Sequence, residues 1–270
     1  MTDRVLIERH GSVAHVQLNR PDKRNALDVA MFEGIVAAGE QLMADRSVRA
    51  VVLSGLGQAF CAGLDFSAFS AFATGGGSSL LARGDHSPAN LAQRVGWVWQ
   101  ELEVPVIAAL HGVALGGGFQ IAAGADIRIA HPETQLSIME IKWGLIPDMS
   151  ITATTLRYAP LDVIKELMFT GRIVRGEEAL ALRLVTRLAE DPVAEALALA
   201  ATIATKNPDA IRAGKRLLNH SLDIPVDARL RFETELQLQL LGSKNQMEAV
   251  MANMQKREPV FSDHWDDGED

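Results

Sequence analysis

A single cysteine in 270 residues leaves Cys61 no partner for an internal disulfide, and the cytoplasm is the expected compartment. No uninterrupted run of about 18 apolar residues occurs, so no membrane span is expected. The opening MTDRVLIERHGS has no long apolar stretch behind a basic one and does not read as a signal peptide. Basic clusters are missing too: 26 Lys and Arg face 34 Asp and Glu, for a net charge of −8. A nucleic-acid surface needs concentrated positive charge, so that partner class is not expected. An anionic ligand would have to be held by a few local cations and backbone N–H groups.

Several chemical motifs are also absent. Gly55-Leu56-Gly57 follows a strand, but Phe60 stands where a dinucleotide fingerprint has its third glycine. Residues 75–77 are glycines without the GK[ST] ending of a phosphate loop. The seven histidines are scattered, with no HxxxH pair and no cysteine cluster, so no metal site is expected. There is no GxSxG elbow for a serine nucleophile. Cys61 carries no sign of activation and reads as a buried structural thiol.

What is present is an ordinary globular composition, 48% hydrophobic and 22% charged. Val5 to Glu8 and Ala14 to Asn19 alternate as short strands around His10-Gly11-Ser12. Leu27, Met31, Ile35, Ala38 and Leu42 set a helical period over 25–46. Buried strands are predicted at 49–54 and 105–110, with further strands at 126–130 and 134–139. Residues 70–90 read as a loop, and 89–102 as a helix. Beyond about residue 150 the pattern is helical, with helices at 192–205 and 230–241. A last one, to about Lys256, is opened by a Ser243–Gln246 capping box. Strands early and helices late give an α/β core of about 190 residues followed by a helical segment.

Two segments share one pattern. Phe60-Cys61-Ala62-Gly63-Leu64-Asp65 places small residues after a strand and its loop. His111 to Gln120, with three glycines at 116–118, does the same and then opens a helix. Glycines there let a ligand approach bare N–H groups at the positive end of the helix dipole. Two such donors from separate loops are what a developing oxyanion requires, although close helix-on-strand packing would also use the glycines.

In order along the chain stand Asn19-Arg20-Pro21-Asp22-Lys23-Arg24-Asn25-Ala26-Leu27, the Phe60–Asp65 segment, the glycines at 116–118, Glu140-Ile141-Lys142-Trp143-Gly144-Leu145-Ile146-Pro147, Thr170-Gly171-Arg172 with Gly176-Glu177-Glu178-Ala179, and Lys256-Arg257-Glu258-Pro259-Val260-Phe261. With these the chain resembles the crotonase (enoyl-CoA hydratase/isomerase) superfamily from about residue 5 to 260. The resemblance implies a spiral of ββα units over 1–195 and a helical trimerisation segment over 196–270, assembled as a trimer or a hexamer of two trimers. It implies an acyl-CoA substrate and no separate cofactor. The family's oxyanion donors fall on the N–H groups of Ala62 and Gly117. Its CoA contacts fall on Lys23, Arg24 and Ala26, with Leu64 and Asp65 near the adenine end.

Of the two glutamates that the family's hydratases use, one matches Glu140 and the other falls on Gln120. A glutamine amide cannot exchange a proton near neutral pH, which weakens two-carboxylate hydration. The family's Δ3–Δ2 isomerases keep a lone glutamate where Glu140 stands, and its dienoyl-CoA isomerases keep an aspartate where Asp148 stands. The resemblance therefore favours double-bond isomerisation with Glu140 as proton shuttle and Asp148 as second acid. The alternatives are a hydratase in which Gln120 positions water, and a non-catalytic acyl-CoA binder. Asp148 reads equally well as the cap of a helix starting near Met149. Trp143 reads as a packing residue or a wall of the acyl pocket.

Overall fold

The structure is a computed structural model that describes residues 3–65, 78–83 and 87–263. A mixed sheet forms its centre, with strands β1 (Val5–His10), β2 (Val13–Leu18), β3 (Ala50–Gly55), β4 (Val106–Leu110), β6 (Ile127–Ala130) and β9 (Arg187–Leu188) in that spatial order. The hairpin β1–β2 is antiparallel and every later pair in this sheet is parallel. A second, three-stranded sheet joins β5 (Val113–Leu115), β7 (Gln135–Ser137) and β8 (Val174–Arg175).

All residues of β3 and β4 are buried, as a parallel sheet covered on both faces requires. Alternation sorts them. Val51, Leu53, Val106, Ala108 and Leu110 join the main core, with helices α1 (Val29–Met43) and α3 (Leu91–Glu101). Ala50, Val52, Ile107 and Ala109 face the other way, onto α8 (Pro192–Ala204). The division expected after residue 195 falls inside α8. Ala196 and Ala200 of that helix are fully buried against the sheet, so in packing it belongs with the core.

Helix starts follow the chemistry of their caps. Asp28 accepts from Met31 N–H at 2.9 Å to open α1, and Asn90 and Gln93 form a reciprocal capping box for α3. The last three helices are α9 (Pro208–Ser221), α10 (Val226–Leu240) and α11 (Lys244–Gln255). Ser243 caps α11 through Gln246 N–H, but the Gln246 side chain accepts from Gly242 N–H, so the expected box is only half made. The short strands β5, β8 and β9 escaped the sequence reading, since two or three residues are too few to show a period. Of the loop expected over 70–90, residues 78–81 form the short helix α2 (Ser78–Leu81); Thr74 to Gly77 lie outside the described residues. No helix among the described residues is long and apolar enough to cross a membrane.

Candidate active site

The loop after β3 is zipped to β5. Cys61 N–H donates to Val113 O at 3.0 Å, and Leu115 N–H donates to Cys61 O at 3.1 Å, a parallel bridge with Ala114 at its centre. On the loop's other side Leu27 N–H donates to Gly63 O and Asp65 N–H to Leu27 O. Gly63 turns the chain between the two at φ +88°, and a Cβ added there would lie 2.6 Å from Leu115 O. Only glycine fits.

A buried knot holds the arrangement from below. The Asn25 carboxamide donates to Leu56 O, Ala59 O and Phe60 O and accepts from Arg20 N–H, all within 3.1 Å. Burial pushes the Cys61 thiol up to about 12, so it is an inert core group donating to Asn25 O, as the sequence suggests.

These contacts correct one expected role. The N–H of Ala62 is not free: it donates to Arg24 O at 2.9 Å. In the bridge to Leu27 the bonds come from Gly63 O and Asp65 N–H, which turns the N–H of Leu64 to the opposite side, toward residues 115–117. Leu64 N–H has no acceptor among the described residues. Nor has Gly117 N–H, the first of helix α4 (Gly117–Ala123), whose opening N–H groups have no partner within the helix. Both lie three residues beyond the bridged pair Cys61 and Ala114, so the zip delivers them side by side. The site that a Cβ on Gly63 would fill is 3.7 Å from Gly117 N.

Glu140 reaches the same place. It opens a 3-10 turn, Glu140–Trp143, which Gly144 closes in the left-handed conformation. Its Oε1 is 3.2 Å from where a Cβ on Gly116 would sit. Gln120 Nε2 donates to that Oε1 at 2.6 Å, while Gln120 Oε1 accepts from Met149 N–H at 2.8 Å. The amide is thus fixed at both ends and is 1% exposed, not the helix-surface group that its place in α4 allowed. Glu140 Oε2 is buried with no hydrogen-bond partner. Burial raises the Glu140 pKa, against hydrogen bonds from its own backbone and Gln120, and the Asp148 charge adds to the rise. Asp148 keeps an exposed surface, yet desolvation raises its pKa as well. It caps no helix: α5 (Ile151–Thr154) begins after Ser150 and no side chain caps it. Trp143 is 46% exposed.

Two free N–H groups beside a buried carboxylate with an open oxygen suit proton transfer next to a carbonyl whose oxygen takes up charge. Comparison with known proteins gives the family. The enoyl-CoA hydratase/isomerase family model matches residues 8–264. The chain belongs to the enoyl-CoA hydratase/isomerase family. It is 33% identical to the mouse mitochondrial Delta(3,5)-Delta(2,4)-dienoyl-CoA isomerase, across 91% of this chain and 77% of that protein. It is 31% identical to the short-chain-enoyl-CoA hydratase of Clostridium acetobutylicum, across 94% and 95%. The crystal structure of an enoyl-CoA hydratase from Mycobacterium tuberculosis superposes with a TM-score of 0.85 at 28% identity, covering 97% of this chain and all of that one. The fold is therefore the crotonase fold, and the chain is an enzyme of this family.

Within this family frame, the residues expected to meet CoA divide. Lys23 and Arg24 are exposed on the turn after Pro21. Ala26 is half-buried, and its carbonyl accepts from Arg20. The Asp65 carboxylate is paired with Arg20 at 2.6 Å, which commits it to bracing the loop. Arg20, Asn25 and Met149 escaped the sequence reading as site supports. Arg20 and Asn25 had a signal, their place within the Asn19–Leu27 motif; Met149 had none.

Proposed function

We propose that this enzyme shifts the double bond of an unsaturated acyl-CoA thioester, with Glu140 as the base. Glu140 takes a proton from the carbon α to the thioester carbonyl. The electron pair moves onto the carbonyl oxygen, where the N–H groups of Leu64 and Gly117 receive it. The dienolate then collapses as a proton is returned farther along the chain, leaving a double bond conjugated with the thioester. For a 3-enoyl substrate Glu140 returns the same proton at the γ carbon. For a 3,5-dienoyl substrate Asp148 supplies the proton at the far end; desolvation raises its pKa, the direction that eases protonation there. The observation that carries the reading is the Glu140 carboxylate itself: buried, raised in pKa and open at Oε2.

Hydration with Gln120 positioning the water is the weaker reading. The Gln120 amide is already held between Met149 N–H and Glu140, and an amide exchanges no proton, so hydration would have to rest on Glu140 as the lone carboxylate. The names of relatives fall on both sides, dienoyl-CoA isomerase and enoyl-CoA hydratase.

The test is a panel of 3-enoyl-, 3,5-dienoyl- and crotonyl-CoA. Conjugated absorbance should grow with the first, the second should convert to its 2,4-dienoyl isomer, and crotonyl-CoA should stay unhydrated. Glu140→Gln should lower turnover by about 10²–10⁴-fold. Rapid hydration of crotonyl-CoA with the other two untouched would overturn the assignment. Silence on all three, with acyl-CoA still bound, would favour a binding subunit.

We infer further that residues beyond α8 serve assembly into a trimer or hexamer. Leu218 of α9, Leu222 just after it, and Val226, Leu230 and Leu238 of α10 are each more than half exposed in the single chain. Sedimentation giving a monomer would refute this.

A further inference from the structure

The hairpin β1–β2 brings together three groups that take no part in the Glu140 site. Glu8 and His15 are directly opposed in the register, and His10 lies two residues along from Glu8 on the same face. Each offers one ligand atom, and the three atoms lie within 4.8 Å of one another. The sequence shows no such group, because helical spacing was the pattern sought and here the pairing of strands does the work.

The Glu8–His10 half is already close to metal geometry. Glu8 Oε1 and His10 Nε2 are 3.5 Å apart. Two ligands on a tetrahedral ion with bonds of about 2.1 Å sit about 3.4 Å from each other. Both side chains are exposed, so each is free to swing the small remaining distance toward His15. His15 is the fixed member, 4% exposed, with Ser54 Oγ 2.8 Å from its Nε2. A hydroxyl on one ring nitrogen is the kind of partner that sets the tautomer of a ligating imidazole and leaves the other nitrogen for the ion. Nδ1 of His15 has no partner among the described residues.

We propose that Glu8, His10 and His15 bind one divalent transition-metal ion of the class that imidazole and carboxylate prefer, zinc above all. The ion would clip edge strand β1 to β2 across the hairpin. Nothing in the isomerisation steps involves it.

The test is titration of the metal-free full chain with Zn²⁺, read by calorimetry and by thermal melting. Wild type should bind one ion tightly and melt at a higher temperature with it. Glu8→Gln and His10→Ala change exposed side chains only, and each should weaken binding at least tenfold and abolish the melting shift. His131→Ala removes an imidazole beside a different carboxylate, Glu190, and should bind as wild type does. Glu140→Gln should also bind fully, which separates this outcome from that of the catalytic reading. No tight binding by wild type, or equal binding by His10→Ala and wild type, overturns the proposal.

Discussion

Replacing Gln120 with methionine tests the active-site geometry most directly. Methionine matches glutamine in length and fills the same space, so packing around α4 should survive. Two hydrogen bonds do not. Met149 N–H loses its 2.8 Å acceptor inside the protein, and Glu140 Oε1 loses its 2.6 Å donor. An unpartnered buried N–H costs about 1–3 kcal/mol, which urea unfolding should register as lost stability. Losing a hydrogen bond to a charged group disfavours the carboxylate by about 1.5–3 kcal/mol, or roughly ten- to a hundredfold in the Glu140 proton affinity. That carboxyl already sits above its ordinary range, so its pKa must rise further. The base works ionised, and activity falls as pH drops through that pKa. The acid limb of the kcat/KM profile should therefore move to higher pH, with much of the rate recovered well above it. The assay is isomerisation of 3-enoyl-CoA across pH for wild type and variant. An unmoved acid limb, or an equal loss at every pH in a folded variant, would refute the idea that Gln120 acts by holding and ionising Glu140.

Asp148→Asn removes a negative charge that raises the Glu140 pKa, so its acid limb should shift to lower pH; in the same assay a 3,5-dienoyl substrate should lose far more turnover than a 3-enoyl one. Gly118→Ala would set a Cβ 2.3 Å from Cys61 O, a backbone contact that cannot yield cheaply, and melting should show a loss of about 1–3 kcal/mol or more. Gly214→Ala, inside α9 with nothing within 4 Å of the added carbon, should instead stabilise by about 0.4–1 kcal/mol. Asn25→Ala deprives three carbonyls and one N–H of their partner and should cost more than about 2 kcal/mol in denaturant unfolding.

Much of this molecule is written in local pattern. The runs Ala50–Gly55 and Val106–Leu110, the period through Leu27 and Met31, and the glycines at 116–118 specify strands, helix and helix-opening turn, because burial and dihedral freedom are properties of each residue in its neighbourhood. Glu140 and Gln120 were legible as the chemical pair for a similar reason: their order and spacing match a family whose site is built the same way. What remained hidden depends on partners distant in sequence. Ala62 and Leu64 are equally good backbone donors on paper. Only the bond from Ala62 N–H to Arg24 O, and the bridge to Leu27, decide which of them is left free. The cap reading of Asp148 likewise fails only in the fold, where the helix starts after Ser150 with no side chain capping it.

The sequence by itself determined the longer elements and the family, and it offered Glu140 as the candidate base. Tertiary structure alone decided which N–H groups are left without an acceptor among the described residues, that Gln120 is locked between Met149 and Glu140, and that Glu8, His10 and His15 come together. A hydrogen bond is made once per donor, and strand register sets side-chain neighbours across residues far apart in the chain. Both are facts of the assembled fold, which no window along the chain contains.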